Sequence, residues 1–325
     1  RGLSPKRLRF EIEYALERGS SVNTFLFDAG RDQKQQPAVL VHPPGAAYKD
    51  VFLPALSKVL PKTTSELIVV VGHINPNRIS LLKTISTIYP NLKLIASNPG
   101  AKLIRELWNQ KNPQNSQAKD IDTPTIPPIH LIKQEEVLYL AKEYQLRLLP
   151  APTARWPGGL IAHEESQGLL ISGKLFAAHI CTEEWAEANR SSTEEDRRHY
   201  YDCLMAPMTT QVNTLIEKLE ELDIRLIAPG HGPAIESSWR SLFNDYRCWG
   251  EAQTTSPLNI LLLFASAYGN TASIADALAK GVNKAGIQVN SINCEFTPSE
   301  KLISAIQQAD AYLIGSPTIG GHAPT

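Results

Sequence analysis

The chain has 325 residues, of which 42% are apolar and 20% are charged, a composition typical of a soluble globular protein rather than a disordered or membrane-embedded one. Its 32 basic and 33 acidic residues leave a net charge of −1, which excludes the strong positive field that attracts proteins to nucleic acid or to acidic membranes. No apolar run approaches the roughly 18 residues that a membrane helix needs, and the polar start of the chain is unlike a signal peptide.

Residues 1–250 carry the patterns of short strands and helices. The unbroken apolar run at 66–73 predicts a buried strand, and apolar residues at helical spacing over 78–90 predict a helix that Pro90 ends. The other elements predicted in this part are a strand at 93–98, a helix at 101–110, a polar surface loop at 112–128, a hairpin at 158–173 with its turn at 165–168, mostly helical structure at 192–222, and a strand with a glycine-rich end at 224–235.

A polar stretch at 251–257 predicts a linker between a first domain, 1–250, and a second domain, 258–325. After the linker the chain alternates strand, helix, strand, helix and strand, a pattern that specifies a parallel, doubly wound sheet. Such a segment makes about half of a doubly wound fold. We therefore expect the natural chain to continue beyond Thr325 and, because the sequence begins without Met, to extend upstream as well.

The strongest local signal is FASAYGNTASIA at 264–275, where a predicted strand passes into a predicted helix. Backbone N–H groups at the start of that helix, together with the hydroxyls of Ser266 and Thr271, would hold a phosphate at the carboxyl end of the strand, where ligands of such sheets bind. The loop has neither the lysine of G-x-x-x-x-G-K-[ST] nor the pattern G-x-G-x-x-G, so nucleoside triphosphate hydrolysis is not expected.

The motif S-x-[TY]-G-N-T in this loop resembles the phosphate loop of flavodoxin-like domains, which hold FMN without a cation. The glycine-rich loop at 315–325, after the next predicted strand, resembles the loop that borders the flavin ring in that fold. The resemblance implies an FMN site formed by Ser266, Ala267, Tyr268, Gly269, Asn270, Thr271, Pro317, Thr318, Ile319, Gly320 and Gly321.

Four motifs of the first domain extend the resemblance over essentially the whole chain: GHINPNRIS (72–80), PTARWPGG (152–159), SGKLFAAH (172–179) and APGHGP (228–233). With the two flavin loops they make the chain similar to flavodiiron proteins of the cyanobacterial type, in the subset with substituted diiron ligands. The resemblance implies a metallo-β-lactamase-like αββα sandwich, of the α+β class, followed by a flavodoxin-like α/β domain with a doubly wound parallel sheet. It also implies a C-terminal flavin reductase domain, which we expect beyond Thr325.

In the flavodiiron family, two irons are held by H-x-E-x-D, by a His before Trp-Pro, by an Asp and by the His of an HGP sequence. The resemblance places these six ligand positions on His73, Asn75, Asn77, Arg155, Lys174 and His231. Only the two outer histidines are retained, whereas the scaffold residues around them, such as Trp156 and Gly232, remain.

These substitutions replace about three negative charges of the ligand set by two positive ones. One ammonium ~5 Å from a divalent iron costs roughly 6–7 kcal/mol at an effective dielectric constant of 20. Asn is a poor ligand for iron and Arg cannot lose its proton, so we predict that no diiron centre forms. An anion or ordered water is expected beside Arg155 and Lys174, while Arg78 either adds to their positive field or lies at the surface.

The resemblance implies an oxidoreductase in which FMN carries electrons from NAD(P)H towards the reduction of O2 to water, as a photoprotective electron sink. Without its own diiron centre, the chain would act with a metal-competent relative, as a homodimer or a heterodimer. The alternative is a non-catalytic scaffold or regulatory subunit of a heterodimer. A zinc hydrolase of the β-lactamase superfamily is disfavoured, because the carboxylates that would hold a metal-bound hydroxide are missing.

The four cysteines include no C-x-x-C pair, which excludes a zinc knuckle and a thioredoxin-type motif. We expect reduced thiols in a cytoplasmic protein. His179 matches no ligand position of the family pattern. The remaining histidines of the first domain are expected at the surface or in loops: His42, His130, His163 and His199.

Overall fold

The structure, a computed structural model, divides into two compact units, Arg1–Arg247 and Cys248–Thr325. The residues that it describes are 2–4, 17–27, 37–61, 66–109, 124–141, 144–152, 156, 158–255, 258–266, 270–285, 287–318 and 323.

The first unit contains two five-stranded sheets and a short two-stranded one. Its described strands are β1 (Gly2–Ser4), β2 (Ser20–Val22), β3 (Phe25–Phe27), β4 (Ala38–Val41), β5 (Leu67–Val70), β6 (Leu92–Ser97), β7 (Ile129–Ile132), β8 (Glu136–Ala141), β9 (Tyr144–Pro150), β10 (Leu160–Glu164), β11 (Leu169–Gly173) and β12 (Leu226–Pro229). One large sheet has the order β3-β4-β5-β6-β7 and is parallel except for β3. The other has the order β12-β11-β10-β9-β8 and is antiparallel except for the pair β11 and β12.

The α-helices described in or starting in this unit are α1 (Lys49–Val59), α2 (Pro76–Ile88), α3 (Asn98–Trp108), α4 (Glu194–Tyr200), α5 (Thr209–Glu220) and α6 (Trp239–Thr255). Two of them begin with the same device, since the side chains of Asn75 and Ser97 accept hydrogen bonds from the first turns of α2 and α3, and a proline follows within the first two positions. Such caps satisfy N–H groups that have no partner inside the helix, and therefore fix where each helix begins.

Alternation along the central strands divides the core of the first unit into two layers. Leu40 and Val69 are buried with residues of the helices α1, α2 and α3, whereas their neighbours Val39 and Val70 are buried with Leu148 of the facing sheet. Because both faces of these parallel strands are covered, the strands are apolar throughout, and polar chemistry is left to their ends.

The second unit contains β13 (Asn259–Phe264), α7 (Asn270–Lys284), β14 (Gln288–Asn293), α8 (Ser299–Gln307) and β15 (Ala311–Gly315). The three strands are parallel and have the order β14-β13-β15, so the first strand of the unit lies in the middle. The carboxyl ends of all three strands therefore lie at one edge, with Phe264 opposite both Asn293 and Gly315.

The predicted fold class, a metallo-β-lactamase-like sandwich followed by a doubly wound sheet, is confirmed. The linker expected at 251–257 differs, because α6 continues to Thr255. The stretch EAQTT has no Gly or Pro that would end a helix. Residues 256–257 lie outside the described residues, as do residues 112–123 of the loop expected at 112–128. None of the described helices combines the length and the apolar character needed to cross a membrane.

Candidate functional site

Three of the six predicted ligand positions meet at one cavity of the first unit, with a volume of about 50 Å³. His73, Lys174 and His231 line this cavity together with Arg78 and His42. Its opposite wall is apolar and includes Leu175, Met205, Val212 and Leu215. A volume of this size accommodates about three water molecules or one small anion.

The positions meet because they follow the ends of neighbouring strands. Lys174 comes directly after β11 and His231 comes two residues after β12, and these strands are parallel, with Gly173 opposite Pro229. His42 comes directly after β4, which lies beside β5 of the facing sheet. Polar residues that are far apart in the sequence are therefore collected at adjoining sheet ends.

The central contact of the cavity joins the ammonium of Lys174 to the imidazole of His231, with 2.7 Å between Nζ and Nε2. The other ring nitrogen, Nδ1, lies 2.7 Å from the carbonyl oxygen of Ser21. A carbonyl can only accept, so Nδ1 carries the proton and Nε2 offers its lone pair to Lys174. The tautomer of His231 is thus fixed by a backbone group on one side and by a cation on the other.

Burial, then the positive charge of Lys174, and then His179 hold the pKa of His231 well below its usual range. The imidazole is therefore neutral near pH 7. His231 is 6% exposed, and protonation would place a second cation 2.7 Å from the ammonium of Lys174. A neutral acceptor beside a charged donor is the arrangement that buried groups of this kind can sustain.

An aromatic ring forms part of the cavity wall beside the same ammonium. The Nζ of Lys174 lies 5.8 Å from the ring centroid of Trp156, within the range of a cation–π interaction. The ring of His73 meets Trp156 edge-on, with 6.3 Å between centroids. Trp156, which the sequence identified as a scaffold residue, therefore contacts both cavity residues.

Arg78 lines the cavity, which settles the alternative that the sequence left open. Its Nη1 donates to the carbonyl oxygen of Pro43. Burial lowers the pKa of Arg78 to about 10, and no carboxylate of a described residue offsets that shift. The guanidinium remains charged at neutral pH, so the cavity contains two cationic side chains among the described residues.

His42 was expected at the surface or in a loop; it lies in the loop directly after β4, but its side chain is buried rather than at the surface. The residue is 7% exposed, and its Nε2 lies 2.9 Å from the carbonyl oxygen of Leu160. A Cβ added to Gly72 would lie 2.5 Å from the His42 ring, and one added to Gly173 would lie 2.8 Å from it, so two glycines make room for the imidazole. Burial, and next the charge of Arg78, lower the pKa of His42 to about 4.

The sequence contained a signal for His42, because VLVH and VVVGH both place a His after a buried apolar strand. His163 was also expected at the surface and is buried, 2% exposed, on β10, with its Nε2 3.2 Å from the carbonyl oxygen of Asp223. His130 and His199 are exposed, as expected. His163 does not line the cavity.

The two asparagines of the first motif do not line the cavity. The Oδ1 of Asn75 instead accepts the backbone N–H of Arg78 at 2.9 Å, which makes Asn75 the cap of helix α2. Asn77 is exposed in the first turn of the same helix. Asn is among the best capping residues, which gives Asn75 a local structural role. Arg155, the remaining predicted ligand position, lies outside the described residues.

The described residues do not fit a diiron centre. Among them, no three His, Cys, Asp or Glu side chains come together as a metal-binding group. The nitrogen of His231 that a metal would use accepts a hydrogen bond from Lys174. A lone pair held by a protonated ammonium is closed to a metal cation, and the like charges would repel.

In the second unit, the described ends of the two predicted flavin loops lie together at the carboxyl ends of β13 and β15. The backbone N–H of Ala265 donates to the carbonyl oxygen of Gly315 at 3.0 Å. A Cβ on Gly315 would lie 3.2 Å from the Cγ2 of Thr271, so the end of β15 touches the start of α7. The predicted flavin residues that lie outside the described part are Ala267, Tyr268, Gly269, Ile319, Gly320 and Gly321.

Ser266 and Thr271 flank the loop as expected, with α7 beginning at Asn270. The hydroxyl of Ser266 accepts the backbone N–H of Ala272 at 3.1 Å, which ties the end of β13 to the first turn of the helix. The N–H of Ser266 donates to a carboxylate oxygen of Glu295 at 3.0 Å. Sequence analysis did not find Glu295, because nothing local indicates that it meets a loop 29 residues earlier.

The family described as ODP family beta lactamase matches residues 21–232 of this chain. Putative diflavin flavoprotein A 6 of Nostoc sp. (strain PCC 7120) is 40% identical over 325 residues, which are 100% of this chain and 53% of that protein. The chain thus spans about half the length of the curated relatives it matches.

Two solved structures are similar to the chain. The metal-soaked Flv1 flavodiiron core from Synechocystis sp. PCC6803 has 36% identity and a TM-score of 0.72, covering 99% of this chain and 75% of that one. The crystal structure of putative diflavin flavoprotein A 5, fragment 1–254, from Nostoc sp. PCC 7120 has 33% identity and a TM-score of 0.67, covering 78% of this chain and 92% of that one.

Proposed function

Because this chain belongs to the flavodiiron proteins, with a first unit of the ODP beta-lactamase family, we propose that it is an FMN-carrying oxidoreductase subunit without a working diiron centre of its own. Its electrons would come from NAD(P)H and be used, with a metal-competent relative, in the reduction of O2 to water. This reaction would serve as a photoprotective electron sink in the cytoplasm.

The observation that carries the proposal is the contact between Lys174 and His231. At the position where the family pattern has an aspartate ligand, an ammonium donates to the nitrogen that a metal would need. Arg78 adds a second, partly buried cation on the same cavity. An iron bound here would lose a ligand and face two positive charges, each unfavourable by several kcal/mol at an effective dielectric constant near 20.

A small anion, or ordered water, suits this cavity better than a metal. Arg78 and Lys174 supply N–H donors, and the neutral rings of His42 and His231 add no further charge. A buried pair of cations is stabilised when an anion accepts from both. Arg155 would add to the positive field if it points into the same cavity. We propose the cavity as redox-inert and tolerant of anions.

The second unit fits the phosphate of FMN. Ser266 at the end of β13 and Thr271 at the start of α7 bracket a helix N-terminus at the carboxyl end of a central parallel strand, where such sheets bind ligands. Pro317 and Thr318 follow the neighbouring strand β15 and would border the flavin ring. When bound, FMN supplies reversible one- and two-electron transfer.

The partner would be a second copy of this chain or a related subunit that retains the metal ligands. In the alternative, the chain is a scaffold or regulatory subunit and passes no electrons. The two are separated by mixing the FMN-reduced chain with an iron-loaded relative. Faster flavin reoxidation by O2 in the mixture than in either protein alone supports electron transfer, and an unchanged rate supports the scaffold.

The first experiment is elemental analysis for iron and zinc on protein expressed with excess iron, paired with a flavin absorbance spectrum. We expect iron and zinc well below one per chain, together with bound FMN. Two irons per chain would contradict the proposal, because Lys174 would have to leave His231. Absence of flavin in protein supplied with FMN would contradict the electron-transfer role.

A further inference from the structure

The carboxylate of Glu295 accepts from a backbone N–H of the flavin loop that a bound phosphate would need as a donor. The backbone N–H of Ser266, the second residue after β13, donates to Glu295 Oε2 at 3.0 Å. The contact shows that this amide is oriented outwards and takes an anion. In this structure that anion is the side chain of Glu295.

The position of Glu295 is fixed by the sheet rather than by chance rotation of a surface side chain. β14 lies parallel to β13 with Asn293 opposite Phe264, so the segments after both strands leave the sheet side by side. Asn293 Oδ1 accepts the backbone N–H of Glu295 at 2.9 Å, and the carbonyl of Asn293 accepts from Thr297 at 2.8 Å. These bonds hold the backbone of Glu295 next to the loop.

We infer that Glu295 is a specificity-determining residue that competes with the phosphate of the flavin for the amide of Ser266. The inference rests on the proposed function of the second unit. A phosphate monoester carries about −1.5 to −2 charges near pH 7, so it cannot share an N–H with a carboxylate without repulsion. The segment 264–275 has no Lys or Arg to offset that repulsion.

The affinity of the loop for a flavin should therefore depend on whether the flavin carries a phosphate. Binding of FMN must break the bond between Ser266 and Glu295 and bring two like charges together, whereas riboflavin, which has no phosphate, leaves the bond in place. Glu295 therefore lowers the affinity for FMN and leaves that for riboflavin unchanged. Because the carboxylate of Glu295 is exposed, salt screens the repulsion, and the effect is largest at low ionic strength.

The test is a titration of the flavin-free full chain with FMN and with riboflavin, followed by flavin fluorescence, in wild type and Glu295→Gln. At low salt we expect the substitution to tighten FMN binding about threefold to tenfold, as expected for removal of one charge ~5 Å from a phosphate in water. Riboflavin binding should change less than about twofold. The gain for FMN should shrink as salt rises, since the Debye length falls to ~3 Å at 1 M.

The chain offers a matched control at the other end of the same strand. Asp310 accepts the backbone N–H of Asn259 at 2.8 Å, which is the same carboxylate–amide contact at the amino end of β13. Asp310→Asn makes the same chemical change away from the loop and should alter neither flavin affinity. A general effect of net charge or of loosening the sheet would appear equally in both variants.

Several results would overturn the inference. Weaker FMN binding by Glu295→Gln would make Glu295 a residue that supports the ligand. Equal changes for FMN and riboflavin, or a gain that does not respond to salt, would make its role structural. If neither flavin bound to any of the proteins, the FMN assignment itself would fail, an outcome distinct from flavin binding that is indifferent to Glu295.

Discussion

The two units place polar groups at the same kind of position, the carboxyl ends of neighbouring strands, but fill it with opposite charges and to different depths. In the first unit, an ammonium donates to His231, which is 6% exposed and fixed from both sides. In the second unit, the carboxylate of Glu295 accepts from Ser266 at an exposed edge. In both contacts the donor and the acceptor belong to the protein chain and not to a bound ligand.

The difference in burial decides what each site can bind. An exposed carboxylate–amide contact competes with water and is screened by salt, so a ligand displaces it at a cost of about 1 kcal/mol. A buried cation cannot leave its acceptor without finding another partner, which costs several kcal/mol. We therefore expect the first site to exclude metals unless the sequence changes, and the second to admit an anionic ligand.

The largest effect is expected when the metal ligands of the family pattern are restored in the first unit, because the two units would then differ in whether they bind iron. The quadruple variant Asn75→Glu, Asn77→Asp, Arg155→His and Lys174→Asp should raise iron from well below one to two per chain, because the cations are replaced by donors. The triple variant that keeps Lys174 should stay poor in iron. Elemental analysis of both checks this expectation, and equal iron in the two would rule out Lys174 as the block.

The packing around His42 can be broken by one methyl group. Gly72→Ala would place a Cβ 2.5 Å from His42 and 2.7 Å from the carbonyl oxygen of Leu160. We expect a loss of about 2–3 kcal/mol in the free energy of unfolding, measured in urea. Gly281→Ala, in helix α7 with nothing within 4 Å of the added Cβ, should instead stabilise by up to about 1 kcal/mol. Equal effects would mean that the cavity wall is not packed as described.

The neutrality of the buried imidazoles predicts a dependence of stability on pH. The pKa of His42 is lowered from 6.5 to about 4, mainly by burial. As the pH falls below 6.5, the unfolded chain therefore takes up a proton that the folded chain refuses, down to about pH 4. Stability is complete above pH 6.5 and should fall by about 1.4 kcal/mol per pH unit for this residue alone.

Urea unfolding at pH 7.5, 6.0 and 5.0 measures that slope. His42→Gln should reduce it by about 1.4 kcal/mol per pH unit. An unaltered slope in the His42 variant would show that its imidazole is not held neutral.

The smallest expected effect concerns the affinity of the second unit for FMN. Ser266→Ala removes the hydroxyl that accepts from Ala272, and should weaken FMN binding about fivefold, as expected for one hydrogen bond at an exposed site. Ser304→Ala, which removes a surface hydroxyl of helix α8, is the control. Flavin fluorescence titration distinguishes them, and an unchanged affinity in the first variant would remove Ser266 from the phosphate site.

Much of the fold followed from local pattern. The apolar runs predicted at 66–73 and 258–266 and the helical spacing at 78–90 overlap β5, β13 and α2, respectively, with bounds that differ by a few residues. Burial on one or both faces leaves such a period in the sequence. The charge of the cavity also followed, since Lys174 needs no structure to be recognised as a cation. The stretch expected as a linker is helical up to Thr255, because polarity alone does not end a helix.

The partners of individual groups could not be derived in this way. Asn75 occupies a predicted ligand position, yet its side chain points back to the helix it begins. His42 enters the cavity because two glycines, Gly72 after β5 and Gly173 at the end of β11, leave space for its ring. The position of His42 after an apolar strand has a signal in the sequence, but the space for its ring depends on which segments are neighbours. The cap made by Asn75 is a local contact within the first turn of the helix, and it was missed because the same residue matched a ligand position.

The sequence by itself determined the order of the elements, the two loops at strand ends and the loss of acidic ligands, because these depend on residue type and spacing along the chain. Only the tertiary structure decided the tautomer of His231, the burial of His42 and His163 and the meeting of Ser266 with Glu295. Each of those depends on the distance between groups from separate segments, and that distance is set by strand order and register.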